Sequence, residues 1–215
     1  MPYIGESYFY HARIGRWSVN ESEASLRAGI DVSSATMARI NAAKSTSRRI
    51  EILASRRLMH RMGISDHSII YTDEGKPVVR GGDRHISISH SHGEICVAVA
   101  DYPIGIDIQK IDRRIRNVLS WFMNPMESDE KRRDELLRMA LLWSGKEALY
   151  KLEGDSRISM RDFQIRLPRE IESEGYFPAI LEIKGEKTRA YRLYYSHDGT
   201  YVTVHAIKVE KRIYD

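Results

Sequence analysis

Apolar and polar residues alternate along much of the chain, and this period of two predicts a protein rich in short strands. The aromatic-rich residues 8–17 predict a first strand, and residues 65–73 predict a short one that ends in a turn. Residues 85–89 alternate strictly between polar and isoleucine side chains, which predicts a further strand. A turn at His90–Gly93 leads into small and β-branched residues that continue as a strand through Ala100. After the next turn, the sequence GIDI predicts a short buried strand.

Four more strands are predicted in the C-terminal part of the chain. Their sequences are RDFQIRL, FPAILEIK, KTRAYRLYYS and GTYVTVHAIKVE. Asp198-Gly199, between the last two, is the clearest hairpin turn, because this pair accepts the positive φ angles of a tight two-residue loop. The segment therefore predicts an antiparallel meander.

Helical periodicity interrupts the strands. Asn20 followed by Glu23 predicts a helix start with a capping side chain and a carboxylate in the first turn. Longer helices are predicted over residues 33–62 and 129–153. Arginine clusters suit polyphosphate, because the guanidinium fork fits phosphate oxygens, but we expect most of the cations on the first long helix to form a solvated face. These cations are Lys44, Arg48, Arg49, Arg56, Arg57 and Arg61.

The sequence LLWSGKEALYKLEG, residues 141–154, has good helix formers and a glycine at the position of a helix stop. Trp143, Glu147 and Lys151 are spaced by four residues and therefore share one helix face. An ordinary surface ion pair explains the two charges, and so does an acid, base or metal ligand at a pocket wall. We expect Trp143 to lie in the core.

Asp107 lies between two isoleucines in the predicted GIDI strand. A carboxylate in such a place needs a partner or a cation, because burying an isolated charge is costly. A structural ion pair with Arg113 or Arg114 and a functional site are both open at this point.

Bulk properties exclude some classes of protein. With 42% hydrophobic and 30% charged residues the chain suits a globular protein and not a disordered one. A net charge of +4 favours a ligand with negative charge, such as nucleic acid, an acidic protein or a phosphorylated small molecule. The single cysteine, Cys96, is expected to be a buried thiol in a reducing compartment. Because neither a membrane span nor an apolar signal core is evident, we expect a cytoplasmic protein with no membrane partner.

Three histidines lie close together in the sequence, at positions 85, 90 and 92. A zinc-type site would need further ligands at suitable spacing, and the chain has one cysteine. We therefore expect His85 and His92 to be polar residues at strand ends.

The pattern of elements predicts an α+β fold with two similar lobes, each an antiparallel sheet with a packed helix. The predicted boundary places residues 1–112 in an N-terminal lobe and residues 113–215 in a C-terminal lobe. The strongly charged residues 113–135 are interpreted as a linker and surface helix between the two halves.

Three blocks in order now identify a family resemblance. SISHS (residues 87–91), GIDIQ (105–109) and WSGKEALYK (143–151) resemble the signature of 4′-phosphopantetheinyl transferases. The likeness is to the two-lobed, surfactin-synthetase-activating type. It extends to GKP (75–77), to FMNPMES around Glu127 and to DFQI after the helix.

The resemblance implies an enzyme that transfers the 4′-phosphopantetheine group of coenzyme A to a serine of an apo acyl or peptidyl carrier protein and releases 3′,5′-ADP. The active site would lie in the cleft between the lobes. The chain would be a monomer that acts in fatty acid, polyketide or nonribosomal peptide synthesis, with no nucleic acid partner.

The resemblance also assigns roles to residues. Asp107 and Glu147 would be Mg²⁺ ligands, one from each half, with Gln109 as a further ligand through water and Mn²⁺ as a substitute metal. Lys151 would contact the pyrophosphate and protonate the leaving oxygen. Glu147, or a water that it orients, would accept the serine proton.

For the rest of coenzyme A, the resemblance implies a second set of contacts. Ser89, His90 and Arg48 would lie by the ribose 3′-phosphate, and Lys76 and Pro77 would border the adenine.

Two departures from the family pattern have consequences. Many members carry a second acid where this chain has Gln109, so we expect weaker Mg²⁺ affinity. Asp155-Ser156-Arg157 replaces the usual lysine-glycine after the helix, which changes the expected contacts to the pantetheine arm or carrier. Two alternatives are kept: another Mg²⁺-dependent enzyme that uses coenzyme A or a nucleotide, and a basic module that binds an acidic partner without chemistry.

Overall fold

The protein is described by a computed structural model that covers residues 3–9, 12–124, 127, 136–183 and 185–209. It has an α+β fold with antiparallel sheets, as the sequence predicts. The chain divides into two compact units, Met1–Tyr102 and Pro103–Asp215.

The first unit contains a four-stranded antiparallel sheet with the strand order β1-β2-β6-β5 and a small β3-β4 hairpin. Its elements are β1 (Tyr3–Phe9), β2 (Ala12–Ser18), α1 (Glu23–Arg27), α2 (Ser34–Ala42), α3 (Thr46–Arg61), β3 (Ile69–Tyr71), β4 (Pro77–Val79), β5 (His85–Ser91) and β6 (Glu94–Ala100).

Several local predictions for this unit were wrong in detail. Residues 8–17 do not form one strand, because β1 and β2 are separate antiparallel strands. The N-cap of α1 is Ser22 and not Asn20. The helix predicted over 33–62 is broken between Ala42 and Thr46, where the side chain of Ser45 accepts a hydrogen bond from the Arg48 amide and starts a new helix.

Helix α3 packs closely on the sheet of its own unit. A Cβ atom added to Gly15 of β2 would lie 2.7 Å from Met62 Sδ and 2.9 Å from Leu58 Cδ1, so the glycine permits the approach. The core between these elements includes Trp17, Leu26, Ile40, Leu53, Leu58, Met59, Ile95 and Val97. Cys96 is buried, as predicted.

Much of the basic face of α3 is structural, which corrects the expectation of a solvated face. Arg56 is 3% exposed and pairs with Asp66, with a Nε–Oδ1 distance of 2.6 Å. Arg57 donates to backbone carbonyls at the end of α1, and Arg49 pairs with Glu23. These arginines hold the helices of the unit together.

The second unit contains a five-stranded antiparallel sheet with the order β7-β11-β10-β9-β8. The predicted meander is confirmed, as is its hairpin at Asp198-Gly199. The predicted helix over 129–153 is described from Leu136, and residues 129–135 lie outside the described residues. The elements are β7 (Ile104–Lys110), α4 (Leu119–Phe122), α5 (Leu136–Glu153), β8 (Phe163–Ile165), β9 (Glu174–Leu181), β10 (Arg189–His197) and β11 (Tyr201–Lys208).

The division between the units falls after Tyr102 and not after residue 112, because β7 pairs with β11 along its whole length. Asp107 therefore belongs to the second unit, and the prediction that Asp107 and Glu147 come from different halves is wrong. The described part of residues 113–135 is also more than a linker, since Ile115 and Phe122 are buried in the core of the second unit.

In the described part of the chain, no helix combines the length and the apolar character needed to cross a membrane.

Candidate functional site

In the second unit, the backbones of β7 and α5 lie in close contact. A Cβ atom built on Gly105 would lie 1.9 Å from the carbonyl oxygen of Ala148 and 2.8 Å from the amide nitrogen of Leu152. No side chain fits in that space, so the glycine is required for the strand to lie directly on the helix backbone. Residues at alternate positions of the strand, Asp107 and Gln109, lie on the same side as Gly105 and thus on the α5 side.

Asp107 and Lys151 meet at this contact. The Lys151 ammonium donates to Asp107 Oδ1 at 2.7 Å and to the carbonyl of Ile106 at 3.2 Å. Asp107 is 5% exposed, so its charge is balanced inside the fold by the ammonium of α5. The alternative partner Arg114 instead binds Asp112.

Glu147 is the second carboxylate of this site, one helical turn before Lys151. Burial raises the pKa of the Glu147 carboxyl, the Lys151 ammonium partly offsets this, and the negative charge of Asp107 raises the pKa further. The charge of Asp107 thus acts on Glu147, which places the two carboxylates within interacting range. The structure therefore brings together three of the residues that the resemblance assigned to the pyrophosphate and metal.

These residues lie on the accessible stripe of an otherwise buried helix. From Met139 to Leu152, α5 is buried except at Trp143, Glu147, Tyr150 and Lys151, which are half-buried. Trp143 packs edge-on against Phe122, with ring centroids 5.0 Å apart. The prediction that Trp143 lies in the core is thus only partly correct, because one part of its ring remains accessible.

The donor set fits a hard divalent cation. Mg²⁺ in proteins takes one or two carboxylates together with phosphate oxygens, and Asp107 and Glu147 supply two interacting carboxylates that a cation would relieve of their repulsion. The amide of Gln109 lies on the same side of β7, where its Nε2 donates to the Lys110 carbonyl at 3.1 Å. Within the described residues, no group of three or more His, Cys, Asp and Glu side chains could hold a metal ion. Asp107 and Glu147 are the two carboxylates that β7 and α5 bring to the site.

A second set of predicted residues meets in the first unit, between α3 and β5. Arg48 Nη1 lies 2.5 Å from His90 Nε2. The side chains of Arg48 and His90 are 41% and 40% exposed, so both can reach a ligand. Glu51, which the sequence reasoning missed, contacts both of them. Its signal in the sequence was its position three residues after Arg48 on the helix.

Three other predicted contacts lie elsewhere in the first unit. Ser89 is 3% exposed and, as the neighbour of His90 on β5, lies on the opposite side of the strand. Lys76 precedes β4, where its carbonyl accepts from the Thr72 amide, and Pro77 is the first residue of that strand. Ser89 therefore does not share the strand face of His90.

Lys146 is a further residue of the helix that the sequence reasoning missed. Its side chain is 0% exposed, and its ammonium pairs with Glu127 Oε2 at 2.7 Å. Burial lowers the pKa of Lys146, and Glu127 partly counters this. The sequence did carry a signal for this residue. The helical pattern places Lys146 on the buried face, and a charged side chain there needs a buried partner.

Comparison with known proteins places this site in a family context. No curated protein matches the chain at the required significance. A family model does match, and the matched residues begin at the boundary of the second unit and include β7, α5 and most of β11. Residues 103–205, with Asp107, Gln109, Glu147 and Lys151 among them, match the model of the 4′-phosphopantetheinyl transferase superfamily.

Proposed function

We propose that the protein transfers the 4′-phosphopantetheine group of coenzyme A to a serine hydroxyl of an apo acyl or peptidyl carrier protein and releases 3′,5′-ADP. One observation carries the proposal: Asp107, Glu147 and Lys151 converge within the segment that matches the superfamily model. Two carboxylates and an ammonium are the groups that a metal-assisted attack on a pyrophosphate requires.

Asp107 and Glu147 would hold Mg²⁺, or Mn²⁺ in its place. When bound, the metal supplies charge neutralisation for the pyrophosphate. The serine oxygen forms a bond to the β-phosphorus of coenzyme A, and the bond from that phosphorus to the bridging oxygen breaks. Glu147, or a water that it orients, takes the serine proton, and Lys151 donates a proton to the oxygen that leaves with 3′,5′-ADP.

Burial raises the pKa of Glu147 in the metal-free protein, whereas a Mg²⁺ ion bound directly to this carboxylate would lower it. A water that Glu147 orients is therefore at least as good an acceptor for the serine proton as the carboxylate itself. Lys151 donates to Asp107 and to the Ile106 carbonyl, and these hydrogen bonds hold its ammonium beside the proposed metal ligands. Its side chain is 27% exposed, which leaves it accessible to substrate.

We propose that Arg48 and His90 bind the ribose 3′-phosphate. A guanidinium and an imidazole that are both accessible and adjacent suit a dianion. The adenine contacts of Lys76 and Pro77, the participation of Ser89, the monomeric state and the cytoplasmic location stay predictions.

The alternative of a basic module that binds without chemistry loses its main support. Arg49, Arg56 and Arg57 of the basic helix bind groups of their own unit. A guanidinium that is committed to a carboxylate or to backbone carbonyls contributes less to a nucleic acid interface than a free one.

Mass spectrometry of apo carrier proteins tests the proposal. Purified protein, coenzyme A and Mg²⁺ are incubated with one carrier each from fatty acid, polyketide and nonribosomal peptide synthesis. The expected result is a mass gain of one phosphopantetheine on at least one carrier and release of 3′,5′-ADP. Asp107→Asn and Glu147→Gln are the matched controls, and both should remain folded and give no product.

No mass gain on any carrier would contradict the transferase and favour another Mg²⁺-dependent enzyme that uses coenzyme A or a nucleotide. Wild-type turnover in either control would contradict the metal assignment alone.

A further inference from the structure

Glu51 lies one turn after Arg48 on α3 and contacts both residues assigned to the 3′-phosphate. Its Oε2 accepts from Arg48 Nη1 at 3.1 Å and lies 3.4 Å from His90 Nδ1. The Glu51 side chain is 20% exposed, about half the value of the other two. The carboxylate is therefore the most buried of the three groups and contacts both of the others.

The hydrogen-bond chemistry determines how His90 is held. Arginine can only donate, so the His90 Nε2 that faces Arg48 Nη1 accepts the hydrogen bond. The ring proton then lies on Nδ1, the nitrogen that faces Glu51. A carboxylate at Nδ1 fixes the orientation and tautomer of an imidazole and makes its other nitrogen more basic.

We propose that Glu51 is a positioning residue of the anion site: it holds the Arg48 guanidinium and the His90 imidazole beside each other. A bound 3′-phosphate would take the place of the Arg48–His90 hydrogen bond and accept from both side chains, and Glu51 would not touch it. The nature of the anion rests on the proposed function. The positioning role rests on the contacts of Glu51.

The charges of the site are compatible with this role. In the resting state the charge of Glu51 is matched by that of Arg48. When a phosphate dianion binds, His90 Nε2 has to carry a proton in order to donate, and the carboxylate at Nδ1 stabilises the resulting imidazolium. On the sheet side, the residue of β6 paired with His90 is Ile95, which carries no charge.

Binding of two probes that differ only in the 3′-phosphate isolates this role. Isothermal titration calorimetry with 3′,5′-ADP and with 5′-AMP is carried out on the wild type, Glu51→Ala and Glu51→Gln. We expect the wild type to prefer 3′,5′-ADP and Glu51→Ala to lose about tenfold of that preference, the size expected for a lost orienting hydrogen bond to a charged group. Affinity for 5′-AMP should not change.

Glu51→Gln keeps an oxygen that can accept from Arg48 and face His90 Nδ1, so it should recover most of the preference. The matched control is Glu23→Ala. Glu23 of α1 forms the same kind of ion pair with Arg49 of α3, at 2.9 Å. The control should keep the preference of the wild type.

An unchanged or increased preference in Glu51→Ala would overturn the inference, and so would an equal loss of affinity for both probes. The assay needs no carrier and no turnover. A protein that transfers nothing but shows the expected series would defeat the transferase and leave the role of Glu51 intact. A wild type without any preference would overturn the role of Glu51 even if transfer occurs.

Discussion

The ammonium of Lys146 lies 2.7 Å from a carboxylate oxygen of Glu127, and the two side chains are 0% and 1% exposed. The same ammonium donates to the carbonyls of Phe122 and Phe163. Glu127 in turn accepts from the amides of Asn124 and Ile165. This buried pair therefore fastens α5 to the end of α4 and to β8, immediately beside Glu147.

We predict that Lys146→Met destabilises the protein by about 3–5 kcal/mol, because it leaves the buried carboxylate of Glu127 without its cation. Denaturant unfolding measures the effect. The double variant Lys146→Met/Glu127→Leu should recover most of the loss, since it removes both charges. Equal stability of Lys146→Met and wild type would contradict the assignment.

His205 should make the protein acid-sensitive. Burial lowers the pKa of His205 from 6.5 to about 4, so the unfolded chain binds its proton more readily than the folded one. The contribution of neutral His205 to the free energy of unfolding is fully present above pH 6.5. It is lost as the pH falls towards 4, by up to about 1.4 kcal/mol per pH unit. His205→Phe keeps a ring against Tyr194 and should show a flatter dependence over this interval. If the unfolding free energies of wild type and His205→Phe fell in parallel with pH, His205 would not be the cause of the acid sensitivity.

Mg²⁺ affinity should depend on pH through Glu147. The cation binds the deprotonated carboxylate, and burial raises the pKa of Glu147 above 4.5. We therefore expect affinity to fall as the pH is lowered towards that raised pKa, with protons released on binding. Calorimetry in buffers of different ionisation enthalpy counts these protons. Glu147→Gln should bind Mg²⁺ more weakly and release fewer protons, and an unchanged proton count would exclude Glu147 as a ligand.

A third carboxylate should strengthen the metal site. Gln109 lies on the α5 side of β7 with Asp107, so Gln109→Glu adds a negative charge beside the two carboxylates. We expect the Mg²⁺ concentration for half-maximal activity to fall roughly tenfold, as for a contribution of about 1.4 kcal/mol. Gln109→Asn, which adds no charge, is the control. The same Mg²⁺ requirement in Gln109→Glu and wild type would contradict a place for residue 109 at the metal site.

The contact between β7 and α5 should tolerate no side chain at Gly105. Gly105→Ala places a methyl group 1.9 Å from the Ala148 carbonyl oxygen, so strand and helix have to separate. We predict a loss of at least about 3 kcal/mol in unfolding free energy, because backbone cannot yield as a side chain can. Thermal unfolding gives the loss, and full stability of the variant would contradict the contact.

The sequence predicted those features that depend on local pattern. The alternation of residues 85–89 and the Asp198-Gly199 turn are local signals, and the structure confirms both elements. The break of the long helix was missed because a single serine, Ser45, outcompetes a stretch that is otherwise compatible with a helix.

Long-range pairing could not be predicted in the same way. The pairing of β7 with β11 joins residues about a hundred positions apart, so nothing near Asp107 in the sequence reveals the unit to which it belongs. Likewise, the charge of Arg56 favoured solvent, and only its fold partner Asp66 explains its burial. The resemblance predicted the charged residues Asp107, Glu147 and Lys151. It did not predict Glu51 and Lys146, which support the two sets of site residues.

Gly105 has no functional group, yet it determines whether the charged groups of β7 and α5 can cooperate at all. A related chain could keep Asp107, Glu147 and Lys151 and, with alanine at position 105, lose the proposed reaction although every charged residue of the site is present. Searches for this proposed activity in other genomes should therefore weigh that glycine as heavily as the acids and the lysine. Directed evolution of the site has the same constraint, because a side chain at position 105 would separate the strand and the helix that carry these groups.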